Sequence, residues 1–302
     1  GGLLERARTA VADALMAIAP DAYAEWVFVN DGSTDATEAV LAGEAARDPL
    51  IRVLTLSRNF GKEAALAAGL DHAAGDAVIP IDVDLQDPPE LIPDLVAAWR
   101  NGAKVVNAQR DDRSTDSRAK RVTARWFYRL YNRLADQPIP EDVGDFRLMD
   151  REVVEVIRTL SEHARFNKGL FSWVGFPVAT VTYRRDARSA GQSKWPVARL
   201  WNLAIDGLVA SSTVPLRVWT WLGGLIACGA FAYALFLIAY TLIFGRDTPG
   251  FASIMVVMLF LGGLNMLALG ILGEYVGRIA EEVRGRPLYV VSGRTGFSDE
   301  EN

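Results

Sequence analysis

Cysteine and histidine are nearly missing from this chain of 302 residues, which has one cysteine and two histidines. A single thiol, Cys228, excludes a disulfide framework and a thiolate metal site. His72 and His163 stand far apart in sequence, which argues against a histidine-based zinc site. A strong charge of one sign is also lacking: 32 basic against 37 acidic residues give a net charge of -5, so nothing global points to nucleic acid as a partner. There is no internal repeat and no low-complexity tract.

The most telling lack is local. No charged residue occurs from Val218 to Gly245, or again from Thr248 to Gly273. Each run exceeds the roughly 20 apolar residues that cross a bilayer. A buried core helix explains one such run poorly and two in succession worse. The link "GRDTPG" is short enough only for a tight turn between antiparallel spans. Spans without ionisable groups are a poor basis for a transport path. Anchoring or self-association is the more economical role, and "GGLIACGA" and "LGGLNMLALG" offer small residues for close helix packing. Arginine and lysine crowd the flanks, from Arg184 to Arg217 before the first span and from Arg278 to Arg294 after the second, with only Arg246 between them. The positive-inside rule then puts both ends in the cytoplasm, as for a multi-pass protein of the inner, plasma membrane. No signal peptide is visible at the start; "GGLLERARTAVADALMAIAP" reads as an amphipathic helix.

Ahead of the spans, apolar runs alternate with helical patterns. Helices are expected at Leu3–Ile18, Ala36–Ala46, Ala64–Ala73 and Pro89–Trp99, and strands at Glu25–Val29, Ile51–Leu56, Val78–Ile81 and Lys104–Asn107. Such alternation predicts an α/β domain on a mostly parallel sheet. Ligands of such sheets bind at the carboxyl ends of the strands. Two acidic turns, "NDGSTD" and "DVDLQD", fall there. Ser33, Thr34 and Asp35 read equally well as a helix N-cap. Asp31, at the strand end, is placed to accept hydrogen bonds from a base or ribose.

Asp82 and Asp84 point to one side if the chain stays extended. With the Gln86 carbonyl they form a hard-oxygen set suited to Mg²⁺ or Mn²⁺, which complete their shells with phosphate and water. A plain helix start, with Asp87 as cap and Pro88 at the first helical position, accounts for Asp87 but not for Asp82 and Asp84.

"VNDGSTDAT", "LSRNFGKEAAL", "DVDLQDPPEL", "DVGDFRLMD" and "RFNKGLFSWVGF" occur in this order, followed by the two spans. The set resembles the family-2 GT-A glycosyltransferases that charge polyprenyl phosphates. These include bacterial polyprenyl-phosphate glucosyltransferases, aminoarabinose transferases and dolichol-phosphate mannose synthases. The resemblance covers nearly the whole chain. It implies a Rossmann-like GT-A domain over 1–214, two transmembrane helices over 215–277 and a cytoplasmic tail over 278–302. It implies metal and donor diphosphate at Asp82, Asp84 and Gln86, and the nucleoside at Asp31. Ser33, Arg58 and Lys62 are assigned to the donor as well. The family opens with a strand and a Pro/Asn/Glu-containing turn that helps hold the nucleotide, whereas this sequence starts at the following helix. Without that segment the sheet is expected to lack a central strand.

The acceptor side is basic. Arg118, Arg121, Arg125 and Arg129 form one face of a predicted helix at about 116–135, with Trp126, Leu130 and Leu134 on another. This suits a membrane interface, as does a second segment at 195–214. Arg118, Arg121, Arg125, Lys168 and Lys194 are the candidates for the lipid phosphate. A loop at Ser189–Lys194 is expected to close over the site and exclude water. Asp84 and Asp145 are the candidate catalytic carboxylates. Asp145 is read either as a base or positioner of the acceptor, or as a holder of Arg147 or a lysine. A phosphate nucleophile is already ionised, so positioning and electrostatics should carry most of the catalysis.

The expected activity is inverting transfer of a hexose, glucose from UDP-glucose, to polyprenyl (undecaprenyl) phosphate. GDP-mannose or a UDP-aminosugar is the alternative donor. A silent nucleotide-binding membrane scaffold is the rival from another class. A homo-oligomer is compatible with this reading, and the tail "RPLYVVSGRTGF" is expected as a strand or hairpin against a neighbouring subunit.

Overall fold

The structure is a computed structural model, described for residues 2–18, 21–83, 87–110, 129, 132–133, 140, 143–160, 162, 167–183, 214–245 and 250–297. In chain order the elements begin with α1 (Gly2–Met16), β1 (Trp26–Asn30), α2 (Thr37–Ala45), β2 (Ile51–Leu56), α3 (Lys62–His72) and β3 (Ala77–Val78). A 3₁₀ turn (Pro89–Leu91) leads into α4 (Ile92–Arg100) and β4 (Val105–Arg110). Then follow β5 (Val143–Asp150), α5 (Arg151–Thr159), α6 (Asn167–Trp173) and β6 (Val178–Tyr183). Two long helices, α7 (Val214–Phe244) and α8 (Phe251–Val283), precede the last strand, β7 (Val291–Thr295).

The strands form two sheets, ordered β1-β2-β7 and β3-β5-β4-β6. β1/β2 and β4/β6 are parallel; β2/β7, β3/β5 and β4/β5 are antiparallel. The sheets are therefore mixed, not mostly parallel as the alternation suggested. Every antiparallel pair involves β5 or β7. β3 is also shorter than the expected Val78–Ile81, because only Ala77 and Val78 pair with β5, opposite Asp150 and Met149.

Period-two alternation on β5 sorts its side chains to two faces. Phe146 and Leu148 join Ala10 and Ala14 of α1, and Leu91, Ile92 and Leu95 of the 3₁₀ turn and α4, in one buried cluster. Met149 joins Leu70 of α3, Val153, Val154 and Ile157 of α5, and Phe171 of α6 in another. The face that carries Met149 also carries Arg147 and Asp145, so β5 delivers Asp145 to the α3 side of the sheet. The alanines of α1 permit close approach to α4, and Arg6 ties α1 to the 3₁₀ turn by a forked pair to Glu90 at 2.7 and 2.9 Å. Asp150 caps α5 by accepting from the Glu152 N–H at 3.0 Å.

β7 follows α8 yet pairs with β2 of its own chain, in register Val53 with Thr295 and Leu54 with Arg294. This corrects the expectation that the tail packs on a neighbouring subunit. The Tyr289 hydroxyl donates to Asp71 Oδ2 at 2.7 Å, and Phe297 packs edge-on to His72 with Arg52 5.3 Å above its ring. The apolar segments Trp221–Phe244 of α7 and Ser253–Val283 of α8 are long and apolar enough to cross a membrane.

Candidate active site

The site starts at the end of β1. Gly32 has φ +65, and a Cβ there would stand 2.4 Å from the Arg58 carbonyl carbon and 2.6 Å from the Asn59 nitrogen. Only glycine lets the turn after β1 approach the turn after β2 so closely. Asp31 spans the contact: Oδ1 accepts from the Phe60 N–H at 2.7 Å and Oδ2 from the Gly61 N–H at 2.9 Å. Any nucleoside contact by Asp31 therefore uses the lone pairs these two bonds leave. The Ser33 N–H donates to Asn30 Oδ1 at 3.0 Å, and the Arg58 guanidinium lies over the Phe60 ring at 4.2 Å. Asp35 accepts from the Thr37 N–H at 3.0 Å, but the N-cap of α2 is Ala36, without a side-chain cap, so none of Ser33, Thr34 and Asp35 is the N-cap residue.

Gly61, at φ +97, opens α3, and Lys62 is the first helical residue. Its ammonium lies 2.6 Å from Asp82 Oδ2 and 2.7 Å from Asp145 Oδ2. Three segments distant in sequence thus converge on one nitrogen: the start of α3, the stretch after β3 and the middle of β5. The two carboxylate oxygens can be no farther apart than the sum of those distances, and the lysine charge offsets their repulsion. Burial pulls the lysine down, but Asp145 and Asp82 outweigh it and hold the ammonium well above the usual lysine range. Asp31 fixes the backbone immediately before Lys62, so a polar chain runs from β1 to the pair of carboxylates.

Next to Asp145, Arg147 is buried. Its Nη2 donates to the Gly144 carbonyl at 2.6 Å, its guanidinium lies 4.2 Å over the Phe171 ring, and its Nε has no hydrogen-bond partner among the described residues. Burial lowers it to about 10, against the opposing pull of the Asp145 charge.

Asp87 does not cap the following helix as expected: the helical turn starts at Pro89 without a side-chain cap. The Asp87 carboxylate instead accepts from the Tyr183 hydroxyl at 2.9 Å in a buried contact between β6 and the acidic stretch. Burial, then the Asp87 charge, push the phenol above its ordinary range, so it stays a neutral donor. Tyr183 carries no motif of its own, and its partner is 96 positions away.

Of the predicted residues, the structure brings together Asp31, Lys62, Asp82 and Asp145, with Ser33 and Arg58 on the neighbouring turns. Asp84, Gln86, Arg118, Arg121, Arg125 and Lys194 lie outside the described residues, as do most of the helix at about 116–135 and nearly all of 195–214. Lys168 belongs to α6, with its side chain outside the description. Asp82 fits a divalent cation in one respect: it is a hard oxygen donor with its side chain 43% exposed, and therefore open to an ion and its waters. Among the described residues no group of three or more potential metal ligands occurs.

A profile of Glycosyl transferase family 2 matches residues 3–158. The chain is 54% identical over 267 residues to the SfII prophage-derived bactoprenol glucosyl transferase of Shigella flexneri, covering 88% of this chain and 86% of that one. It is 52% identical over 267 residues to a prophage bactoprenol glucosyl transferase homolog of Escherichia coli K12, covering 88% and 87%. It is 51% identical over 273 residues to an uncharacterized glycosyltransferase of Synechocystis, covering 90% and 86%.

Proposed function

The chain belongs to glycosyl transferase family 2, and from that premise we propose that it moves glucose from UDP-glucose to a polyprenyl phosphate at the cytoplasmic face of a membrane. The observation that carries the reading is the Lys62 ammonium shared by Asp82 and Asp145 at 2.6 and 2.7 Å, beside the turns that end β1 and β2. The relatives named bactoprenol glucosyl transferases support the sugar and the lipid.

The chemistry asks little proton transfer of the protein. A lipid phosphate oxygen attacks the anomeric carbon, the bond from that carbon to the diphosphate breaks, and UDP departs with the electron pair. Configuration inverts in a single displacement. The nucleophile is already an anion, so Asp145 need not take a proton. Its role is to hold Lys62, and through it Asp82, where negative charge builds on the leaving diphosphate. Asp31 acts one step back by fixing the turn that starts α3. Asp82, with Asp84 and Gln86, would hold Mg²⁺ or Mn²⁺, which when bound neutralises diphosphate charge. Arg118, Arg121, Arg125, Lys168 and Lys194 are proposed for the acceptor phosphate.

α7 and α8 are proposed to span the inner membrane, with the catalytic domain and both flanks in the cytoplasm. The return of β7 to β2 supports this, because residues after α8 then share a side with the domain. The basic flanks support it independently. The test is a panel of labelled UDP- and GDP-sugars with undecaprenyl phosphate, with and without chelator. UDP-glucose alone should label the lipid, with an inverted anomeric centre in the product. Labelling from GDP-mannose instead would overturn the donor, and nucleotide binding without any turnover would favour a scaffold.

A further inference from the structure

α6 is a helix of seven residues, Asn167–Trp173. A helix so short is marginal on its own, so outside contacts must fix its place. It belongs to the stretch "RFNKGLFSWVGF" and carries Lys168, one of the candidates for the acceptor phosphate.

Contacts to α6 come from neighbours of both Lys62 and Asp145. On one flank, the Arg147 guanidinium of β5 lies 4.2 Å over the Phe171 ring. Arg147 follows Asp145 by two residues and shares its face of β5. Phe171 is buried in the cluster that holds Leu70 of α3 and Met149 of β5. On the other flank, Glu63 Oε2 accepts from the Asn167 N–H at 3.2 Å, and Asn167 Nδ2 lies 3.5 Å from the Glu63 carbonyl oxygen. Glu63 is the residue after Lys62.

Asn167 is fully buried although polar. Burial of an amide is costly unless it is hydrogen-bonded. The N–H groups of a helix's first turn have no acceptor inside that helix. Glu63 supplies one from 104 positions away. An acid in the first turn of α3 is itself ordinary, because it favours the positive end of that helix's dipole. Serving a second helix is not. The carboxylate meets backbone, so the contact fixes where the chain of α6 runs. A circuit closes: Lys62 pairs with Asp145, β5 leads on to Arg147 and Phe171, and α6 leads back through Asn167 to Glu63. The turns assigned to the donor stand outside it, tied by Asp31 to the Phe60 and Gly61 N–H groups.

We propose that Glu63 is a positioning residue for the lipid acceptor: by holding the Asn167 N–H it sets the register of α6, and so of Lys168, against the Lys62–Asp145 pair. It touches no reacting atom. The proposal rests on the reading of Lys168 as a contact of the acceptor phosphate.

The test is steady-state transfer by the full chain in liposomes, with undecaprenyl phosphate and UDP-glucose varied in turn. Glu63→Ala should raise the KM for undecaprenyl phosphate about 10-fold, as expected for one hydrogen bond to a charged group. The KM for UDP-glucose and kcat should stay within about twofold. Glu63→Gln keeps an oxygen for the Asn167 N–H and should recover most of the lipid KM. A merely structural role gives another pattern: fewer folded molecules lower the apparent kcat and leave both KM values where they were. Lys168→Met should raise the lipid KM by itself, and adding Glu63→Ala should raise it little further, since both act on one contact. A wild-type lipid KM in Glu63→Ala, an equal rise in both KM values, or full additivity with Lys168→Met would overturn the proposal and leave the acceptor reading in place. A wild-type lipid KM in Lys168→Met would strike the acceptor reading, and the proposal with it.

Discussion

Lys62 is where the residue scale is most exposed to test. It shares one ammonium between two carboxylates, and its removal takes away the charge that holds Asp82 and Asp145 together. Lys62→Met should lower kcat/KM for sugar transfer by about 100-fold or more. Lys62→Arg should restore little, because a planar fork does not replace one nitrogen reaching two oxygens. A transfer assay on both variants checks this. The alkaline side adds a second expectation. The pKa is raised on folding, so the stability Lys62 contributes is fully present below the ordinary lysine value of 10.5 and is lost only as pH rises through the higher folded value. The gap in melting temperature between wild type and Lys62→Met should stay constant from about pH 7 to about pH 9, and a gap that closes there would contradict the assignment. Asp31→Asn should cost about 2 kcal/mol, since an amide can accept with only one of its two atoms where two backbone N–H groups point. Thermal or denaturant unfolding measures it.

Sequence showed these residues unevenly. Asp31, Lys62, Asp82 and Asp145 all stood out from their motifs, because strand-end carboxylates and a glycine-flanked lysine are local signals. Their mutual contact was not legible, since Lys62 and Asp145 are brought together only by the face that β5 turns to α3. Asp87 misled for the same reason. Locally it sits before Pro88 and Pro89 like a cap, but the Tyr183 hydroxyl outcompetes the helix terminus for it.

At the scale of elements, β2 was readable to the residue because Ile51, Val53, Leu54 and Leu56 crowd one short segment bounded by turn residues. β7 was not readable as a partner of β2: its outward residues are polar or glycine, and its pairing is fixed by the tyrosine and phenylalanine on either side of it. That placement gives a prediction. Tyr289→Phe removes the bond to Asp71 and should cost about 1 kcal/mol, or about 2–4 °C in melting temperature for a domain of this size. Calorimetry on the full chain checks it, and an unchanged transition would show that β7 is held by its strand pairing alone.

For the whole molecule, two uncharged runs were enough to suggest a hairpin of spans, and the strand that follows α8 pairs with β2 of the domain that precedes α7. In a Cys228→Ala background, Gly250→Cys should react with an impermeant maleimide added outside intact cells. Arg286→Cys should react only after permeabilisation. The reverse pattern would invert the orientation.

The central claim is the reaction itself. Full-length protein in liposomes with undecaprenyl phosphate and labelled UDP-glucose should move label into the organic phase, and Asp82→Ala should abolish that transfer. An unlabelled lipid phase in the presence of correctly inserted, folded protein would contradict the account.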